Sequence, residues 1–306
     1  MGLSRDGDHD LSAKRLGAGR GRSDWASMND ILVLVLSAEA DEPALAAAAT
    51  LKRELGATHV AALSLSHAIE PQDCLLTPEA AVWADLAFVV GINTARMVKV
   101  EKSLPVIRQV RRYLGHAPLR QIDVYVGGES IRTSTEARCA SIVVMTRPAA
   151  GPEEAIRRAI FESILFESGR PVLLAPPQWR QSALTGMIIV AWDGSRAAAR
   201  ALADSLPLLA QADSVLVFSV ETGARSGPSA IDIAGHLRRL GVRCHHRTVT
   251  ATRADIEKRI LDECAALDAG LLVMGGYGHS RWSEWLLGGV TRSLLQASPI
   301  PLFLSH

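Results

Sequence analysis

The sequence predicts an α/β protein in two halves, each a mostly parallel sheet with helices on both faces. Three observations carry that prediction. Short, continuously apolar runs such as Ile31–Leu36 (ILVLVL) and Pro171–Ala175 (PVLLA) have the character of strands buried on both faces, as parallel strands are. They alternate with longer Ala- and Leu-rich segments that stop at glycine, the pattern of crossover helices. The order of runs in the first half then repeats in the second.

Taken in order, Ile31–Leu36 is followed by a helix over Pro43–Leu55, stopped at Gly56, and by a strand over Val60–Leu65. A long, mostly helical stretch leads to strands over Ile122–Val126 and Ile142–Met145. Glu153–Ser168 reads as a helix ending at Gly169, and Pro171–Ala175 closes the half. Pro176–Thr185 (PPQWRQSALT) has the composition of a linker. Beyond it come a strand at Met187–Ala191, a helix at Ser195–Leu209 and a strand at Val215–Val220. A helix over Ile231–Leu240 stops at Gly241, and Arg243–Val249 is a weaker, polar strand. A helix at Ala254–Ala266, a strand at Leu271–Met274, a helix at Gly289–Gln296 and a strand at Pro301–Leu304 complete the order.

Ile31–Leu36 matches Met187–Trp192 at an offset of 156, and Val60–Leu65 matches Val215–Val220 at 155. Met145 matches Met274 at 129, and Pro171–Ala175 matches Pro301–Ser305 at 130. The drop of about 26 places an insertion in the first half, within His67–Gln121. The last apolar strand leaves a pairing edge, which Pro171–Ala175 of the other half or of a second chain is expected to cover. The chain is thus expected as an intramolecular pseudo-dimer or as a homodimer through its last strands.

Composition agrees with two globular units. The 306 residues suit two domains of about 100–200 residues each. Apolar residues are 48% and charged residues 21%, which excludes a disordered chain. With 33 Lys and Arg against 32 Asp and Glu, the net charge of +1 lacks the basic excess of a general nucleic-acid or acidic-membrane binder. No apolar run reaches the ~18 residues of a membrane helix. Cys74, Cys139, Cys244 and Cys264 are scattered without a CxxC pair, so partly buried thiols in a reducing, cytoplasmic setting are expected. Residues 1–28, rich in glycine and charge, are expected as a disordered tail, with Met28 a candidate natural start. The domains are expected at 29–177 and 186–306.

In parallel sheets, ligands bind beyond the carboxyl ends of strands, where the strand order reverses. Trp192-Asp193-Gly194-Ser195 follows the first strand of the second half, Gly275-Gly276-Tyr277-Gly278 follows its fourth, and Gly288-Gly289-Val290-Thr291 opens the next helix. Glycines let backbone N–H groups approach a ligand, and a helix start adds free donors and the positive end of the dipole. That combination suits a phosphate, with Asp193 able to accept from a ribose hydroxyl. The same glycines also read as ordinary turn residues, and Asp193 as helix-entry chemistry. Ser195 is expected as a helix N-cap rather than a nucleophile.

The stretch Met274–Leu295 (MGGYGHSRWSEWLLGGVTRSLL) resembles the universal stress protein signature, G-x2-G-x9-G followed by Ser or Thr, with Gly275, Gly278 and Gly288 in the glycine positions. VAWDGS at Val190–Ser195 resembles that family's first strand end, and the duplication resembles its tandem members. The resemblance implies a five-stranded parallel sheet of order 3-2-1-4-5 in each half, of the Rossmann-like, adenine nucleotide alpha hydrolase-like class. It implies ATP or another adenine nucleotide, accompanied by Mg2+, with Asp193 on ribose or adenine and backbone near Val220 on the base. Gly275, Gly278, Gly288, Gly289, Val290 and Thr291 would then lie along the phosphates.

The chain departs from the family pattern in two ways, one in each half. Gly289 stands where Ser or Thr is expected, losing a hydroxyl bond to phosphate worth roughly 1.5–3 kcal/mol, about ten- to hundredfold in affinity. Thr291 is the candidate to compensate. In the first half Ser37 takes the place of the acid and Thr146-Arg147-Pro148 that of the glycine turn, so that half is expected to hold no nucleotide and to serve as a pseudo-symmetric partner.

Other constellations are weaker. Adjacent His245 and His246 on one strand point to opposite faces and cannot chelate one metal, which leaves a surface or edge pair. Trp282 and Trp285 are expected as an apolar latch on the glycine loop. His279, Arg281 and Arg292 flank it as phosphate contacts or solvated side chains, Arg292 being the better candidate. No GK[ST] loop, GxGxxG, GxSxG or HExxH occurs. Three functions follow in order: a nucleotide-binding stress or signalling module with at most slow ATP hydrolysis, a nucleotide-free interaction or scaffold protein of the same fold, and an adenylating type of enzyme.

Overall fold

The computed structural model describes residues 28–67, 103–124, 128–151, 154–180, 182–223, 227–276 and 289–306. The first half runs β1 (Asp30–Leu34), α1 (Glu42–Leu55), β2 (His59–His67), a helix α2 described over 103–114, and β3 (Leu119–Val124). It continues with α3 (Glu129–Ala137), β4 (Ile142–Thr146), α4 (Ala155–Glu167) and β5 (Val172–Ala175). The second half runs β6 (Met187–Ala191), α5 (Arg196–Leu209), β7 (Ser214–Glu221), α6 (Ala230–Arg239) and β8 (Cys244–Thr250). A 3-10 turn at Arg253–Asp255, α7 (Ile256–Ala266), β9 (Leu271–Gly275), α8 (Gly289–Ala297) and β10 (Leu302–Ser305) complete it. Unanticipated from the sequence was α3, whose ESIRTSTEA is rich in poor helix formers.

Within each half the strands pair in parallel in the expected 3-2-1-4-5 order. The two five-stranded arrays do not stay separate. β5 and β10 pair antiparallel, Leu302 against Leu174 and Leu304 against Val172, and fuse them into one ten-stranded sheet. Of the two expected ways to cover the last strand, the intramolecular one is therefore realised. Because that single pairing is antiparallel, the carboxyl ends of the two halves' strands lie at opposite ends of the sheet.

One sheet face is buried under α1, α2, α5 and α6 through residues such as Val33, Leu45, Val110, Val190, Ala201 and Leu237. The other is buried under α3, α4, α7 and α8 through Leu34, Ile164, Met145, Ile189, Cys264 and Leu294. The face assignments correct one expectation. Ile31, Val33 and Val35 share a face with Ile188, Val190 and Trp192. Val35 N–H donates to Leu63 O as Trp192 N–H donates to Phe218 O, both at 2.8 Å. The first strands thus correspond at an offset of 157, one residue from the offset of 156 that the apolar runs suggest, and a one-residue slip exchanges the faces of every side chain. Leu36, not Ser37, is the counterpart of Asp193.

The linker is pinned rather than slack. Glu54 of α1 accepts from Leu184 N–H (3.1 Å), Thr185 N–H (3.0 Å) and Thr185 Oγ1 (3.0 Å). Trp179 is buried and its indole donates to Ser182 Oγ at 3.1 Å. His245 and His246 are both exposed on β8, an edge strand, as an edge pair should be. Burial raises the Cys244 thiol to about 11 and the Cys264 thiol to about 12, whereas Cys139 is exposed, against the expectation of burial. Cys74 lies outside the described residues.

Candidate functional site

In the second half the strand order reverses between β6 and β9, and of the predicted residues Asp193 and Gly275 stand at the carboxyl ends there. Beyond β6 the chain is held from both sides: Ser219 Oγ donates to Trp192 O (2.8 Å), and the buried Trp192 indole donates to Pro228 O (2.9 Å). Neither Ser219 nor Pro228 carries a motif, so sequence reasoning missed both. Asp193 is exposed, and its Oδ1 accepts from Ser195 N–H at 2.9 Å, closing an Asx turn. Gly194 sits at φ +81°, a left-handed conformation that glycine adopts without strain. Ser195 is the N-cap of α5, its Oγ accepting from Ala198 N–H at 3.1 Å, as expected. The carboxylate of Asp193 therefore does turn chemistry while standing at the crevice mouth.

Gly275, the last residue of β9, has a packing reason of its own. A Cβ there would lie 2.5 Å from Ala197 C and 2.5 Å from Ala198 N, so only glycine lets the start of α5 close against this strand end. The next residue, Gly276, continues the ladder by donating to Ser305 O (2.8 Å), and its carbonyl meets His306 Nδ1 at 2.9 Å. Across the seam, a Cβ on Gly276 would be 3.0 Å from Leu165 Cδ2 of α4. Val220 is half-buried near the end of β7, one strand over from Asp193.

Gly289 opens α8 and is exposed; among the described residues nothing lies within 4 Å of a Cβ placed on it. Val290 is half-buried against the core, Thr291 is buried and Arg292 is exposed. The end of α8 is fixed from the first half, where Arg147 Nη1 donates to Ser298 O. That bond ties the carboxyl end of α8 to the residue that follows β4. Gly278, Gly288, His279, Arg281, Trp282 and Trp285 lie outside the described residues.

The matching place in the first half is built differently. Asp41 occupies the N-cap position of α1 but makes no cap bond. Its Oδ2 instead accepts from Leu36 N–H (2.7 Å) and Ser37 N–H (2.8 Å), the counterparts of Asp193 and Gly194. Oδ1 accepts from Arg157 Nη1 of α4, and Arg157 Nε reaches Glu154 Oε2 at 2.8 Å. Asp41 is 0% exposed and Arg157 6%. The internal Asp41 carboxylate thus takes up the backbone donors beyond β1, with the Arg157 guanidinium donating to its other oxygen.

Residues 186–306 match the model of the Universal stress protein family. That match spans the second half of the chain and leaves the first half outside it. Among solved structures, a universal stress protein from Archaeoglobus fulgidus aligns over 91% of this chain and 96% of its own, at 18% identity and a TM-score of 0.63. A putative universal stress protein from Pseudomonas aeruginosa aligns over 92% and 95%, at 15% identity and a TM-score of 0.53. A protein described as functionally unknown, also from Pseudomonas aeruginosa, aligns over 91% and 92%, at 13% identity and 0.52. At these identities the likeness is one of fold, and it extends across both halves, beyond the residues matched by the family model. No curated protein matches the sequence. Among the described residues no helix is long and apolar enough to cross a membrane, and no group of three or more His, Cys, Asp or Glu could hold a metal ion.

Proposed function

We propose that this chain is an adenine-nucleotide-binding stress or signalling module that holds ATP in the second half alone. The observation that carries the reading is Gly275, where a Cβ-free strand end meets the start of α5 beside the Asp193 turn. Phosphates would run from Gly275 and Gly278 to Gly288, Gly289, Val290 and Thr291, held by backbone N–H groups and the amino end of α8. Asp193 would accept from a ribose hydroxyl, and backbone at Val220 would meet the base. Magnesium would arrive on the phosphates, since no described cluster of acidic or imidazole groups offers it a site. In the first half Asp41 already serves the donors beyond β1, so that half acts as a closed structural partner.

Calorimetry with ATP and magnesium tests this reading, backed by mass spectrometry of small molecules released from freshly purified protein. The expected results are saturable heat and a released adenine nucleotide. No heat and no change in melting temperature at millimolar ATP would sink it. That outcome would favour a nucleotide-free interaction protein, the reading that Gly289 in place of Ser or Thr supports.

A further inference from the structure

The first half carries a second concave site, whose lining shares no residue with the Asp193 or Asp41 turns. A groove of about 510 Å³ runs along α1 between α2 and the linker, within the ~300–1,000 Å³ range of small-molecule sites. Its floor is Ala46 and Ala49, whose short side chains leave the volume. Tyr113 and the largely buried Trp179 line it, and Arg53, Arg112 and Arg180 bring three guanidinium groups to it.

The charge arrangement singles this groove out. Glu42 is its only carboxylate, and it is already engaged: it accepts from the Tyr113 hydroxyl and lies 3.6 Å from Arg112 Nη1. Burial, then the bond to Glu42, pushes the Tyr113 hydroxyl up, so it stays a neutral donor at physiological pH. Arg112 also lies 5.5 Å over the Tyr113 ring. Arg53 reaches only Thr50 Oγ1, at 3.4 Å, and neither Arg53 nor Arg180 pairs with a carboxylate among the described residues. Two exposed guanidiniums therefore flank an aromatic-walled groove with no acid left for them.

We propose that this groove binds a small phosphate-bearing molecule with a flat apolar body. Guanidinium forks match phosphate oxygens in charge and geometry. The half-buried Tyr113 ring, held by Glu42, is a preorganised surface for a ring, and the largely buried Trp179, held by Ser182, backs the groove beside it. The site draws on α1, α2 and the linker, whereas the nucleotide reading draws on Asp193 and Gly275, so the two are independent.

Phenyl phosphate is the probe, titrated calorimetrically into the full chain, with inorganic phosphate as the comparison. Phenyl phosphate is expected to bind in the millimolar range or tighter, more tightly than inorganic phosphate, and less as salt is raised. Replacing both Arg53→Gln and Arg180→Gln should weaken it by about tenfold or more. Both side chains are exposed, so the variant should keep the native circular dichroism and melting temperature. Asp193→Asn should leave phenyl phosphate binding unchanged. The proposal is overturned by undiminished affinity in the double arginine variant, by a loss confined to Asp193→Asn, by equal affinity for inorganic phosphate, or by no binding at millimolar probe.

Discussion

Beyond β1 the chain folds an aspartate back onto its own backbone donors and neutralises it with an arginine from α4. Beyond β6 the same sheet position carries an exposed aspartate, a left-handed glycine and a serine cap, with Gly275 against the helix start. The two halves share strand order and face assignments, so the sheet itself does not decide which crevice is available. A handful of residues in the β1–α1 and β6–α5 turns decides it. A duplicated fold can spend one of its two strand-end crevices on an internal ion pair and still offer the other, because the crevices sit at opposite ends of the fused sheet.

The largest expected effect falls on the closed crevice. Asp41→Ala leaves the buried Arg157 with Glu154 as its remaining partner and the half-buried Leu36 and Ser37 N–H groups without their acceptor, and should cost about 3 kcal/mol in urea unfolding. Pairing Asp41→Leu with Arg157→Met should recover part of that loss, since it removes both buried charges but leaves the Leu36 and Ser37 N–H groups without their acceptor. A penalty for Asp41→Ala no larger than that of an exposed salt bridge would break the contrast between the halves.

Next in size is Gly275→Ala, which forces a Cβ into the backbone at Ala197 and Ala198 and should cost about 1–3 kcal/mol. Its counterpart, Thr146→Gly, should cost only about 1 kcal/mol in chain freedom, because the buried Thr146 Oγ1 has no hydrogen-bond partner among the described residues to lose. Thermal melts of the two variants compare the halves directly. Ser195→Ala should cost about 1 kcal/mol through the lost cap, and Ser195→Gly only a few tenths.

The smallest effects concern the thiols. Cys244 and Cys264 ionise at about 11 and about 12 in the folded chain, against an ordinary value of 9.0. Their folded pKa values are raised, so their contribution is complete below pH 9 and is lost as pH climbs toward 11 and 12. Brief alkylation at neutral pH should label Cys139 and spare both, with mass spectrometry locating the adducts.

Strand and helix order was readable because buried parallel strands are continuous apolar runs and helices end at glycine. The same continuity hid the register: ILVLVL has no polar residue to mark a face, so its phase against MIIVAW came only from packing. Helix α3 escaped notice because its stability is tertiary and local, with Ser163 Oγ of α4 donating to Ser130 O and Thr133 Oγ1 to Glu129 O. The glycine positions and Asp193 were legible as a motif. Asp41 with Arg157 was not, since 116 residues separate a pair that only the fold brings together.

The central claim is that one crevice takes nucleotide while the other is closed by its own ion pair. Equilibrium dialysis with labelled ATP and magnesium tests it most directly, using the Arg53→Gln, Arg180→Gln chain so that the groove on α1 contributes nothing. One nucleotide per chain, lost on Gly275→Ala and kept when Asp41→Leu is paired with Arg157→Met, is the predicted result. Two nucleotides per chain, or binding that survives Gly275→Ala and disappears with the Asp41 and Arg157 replacements, would contradict it.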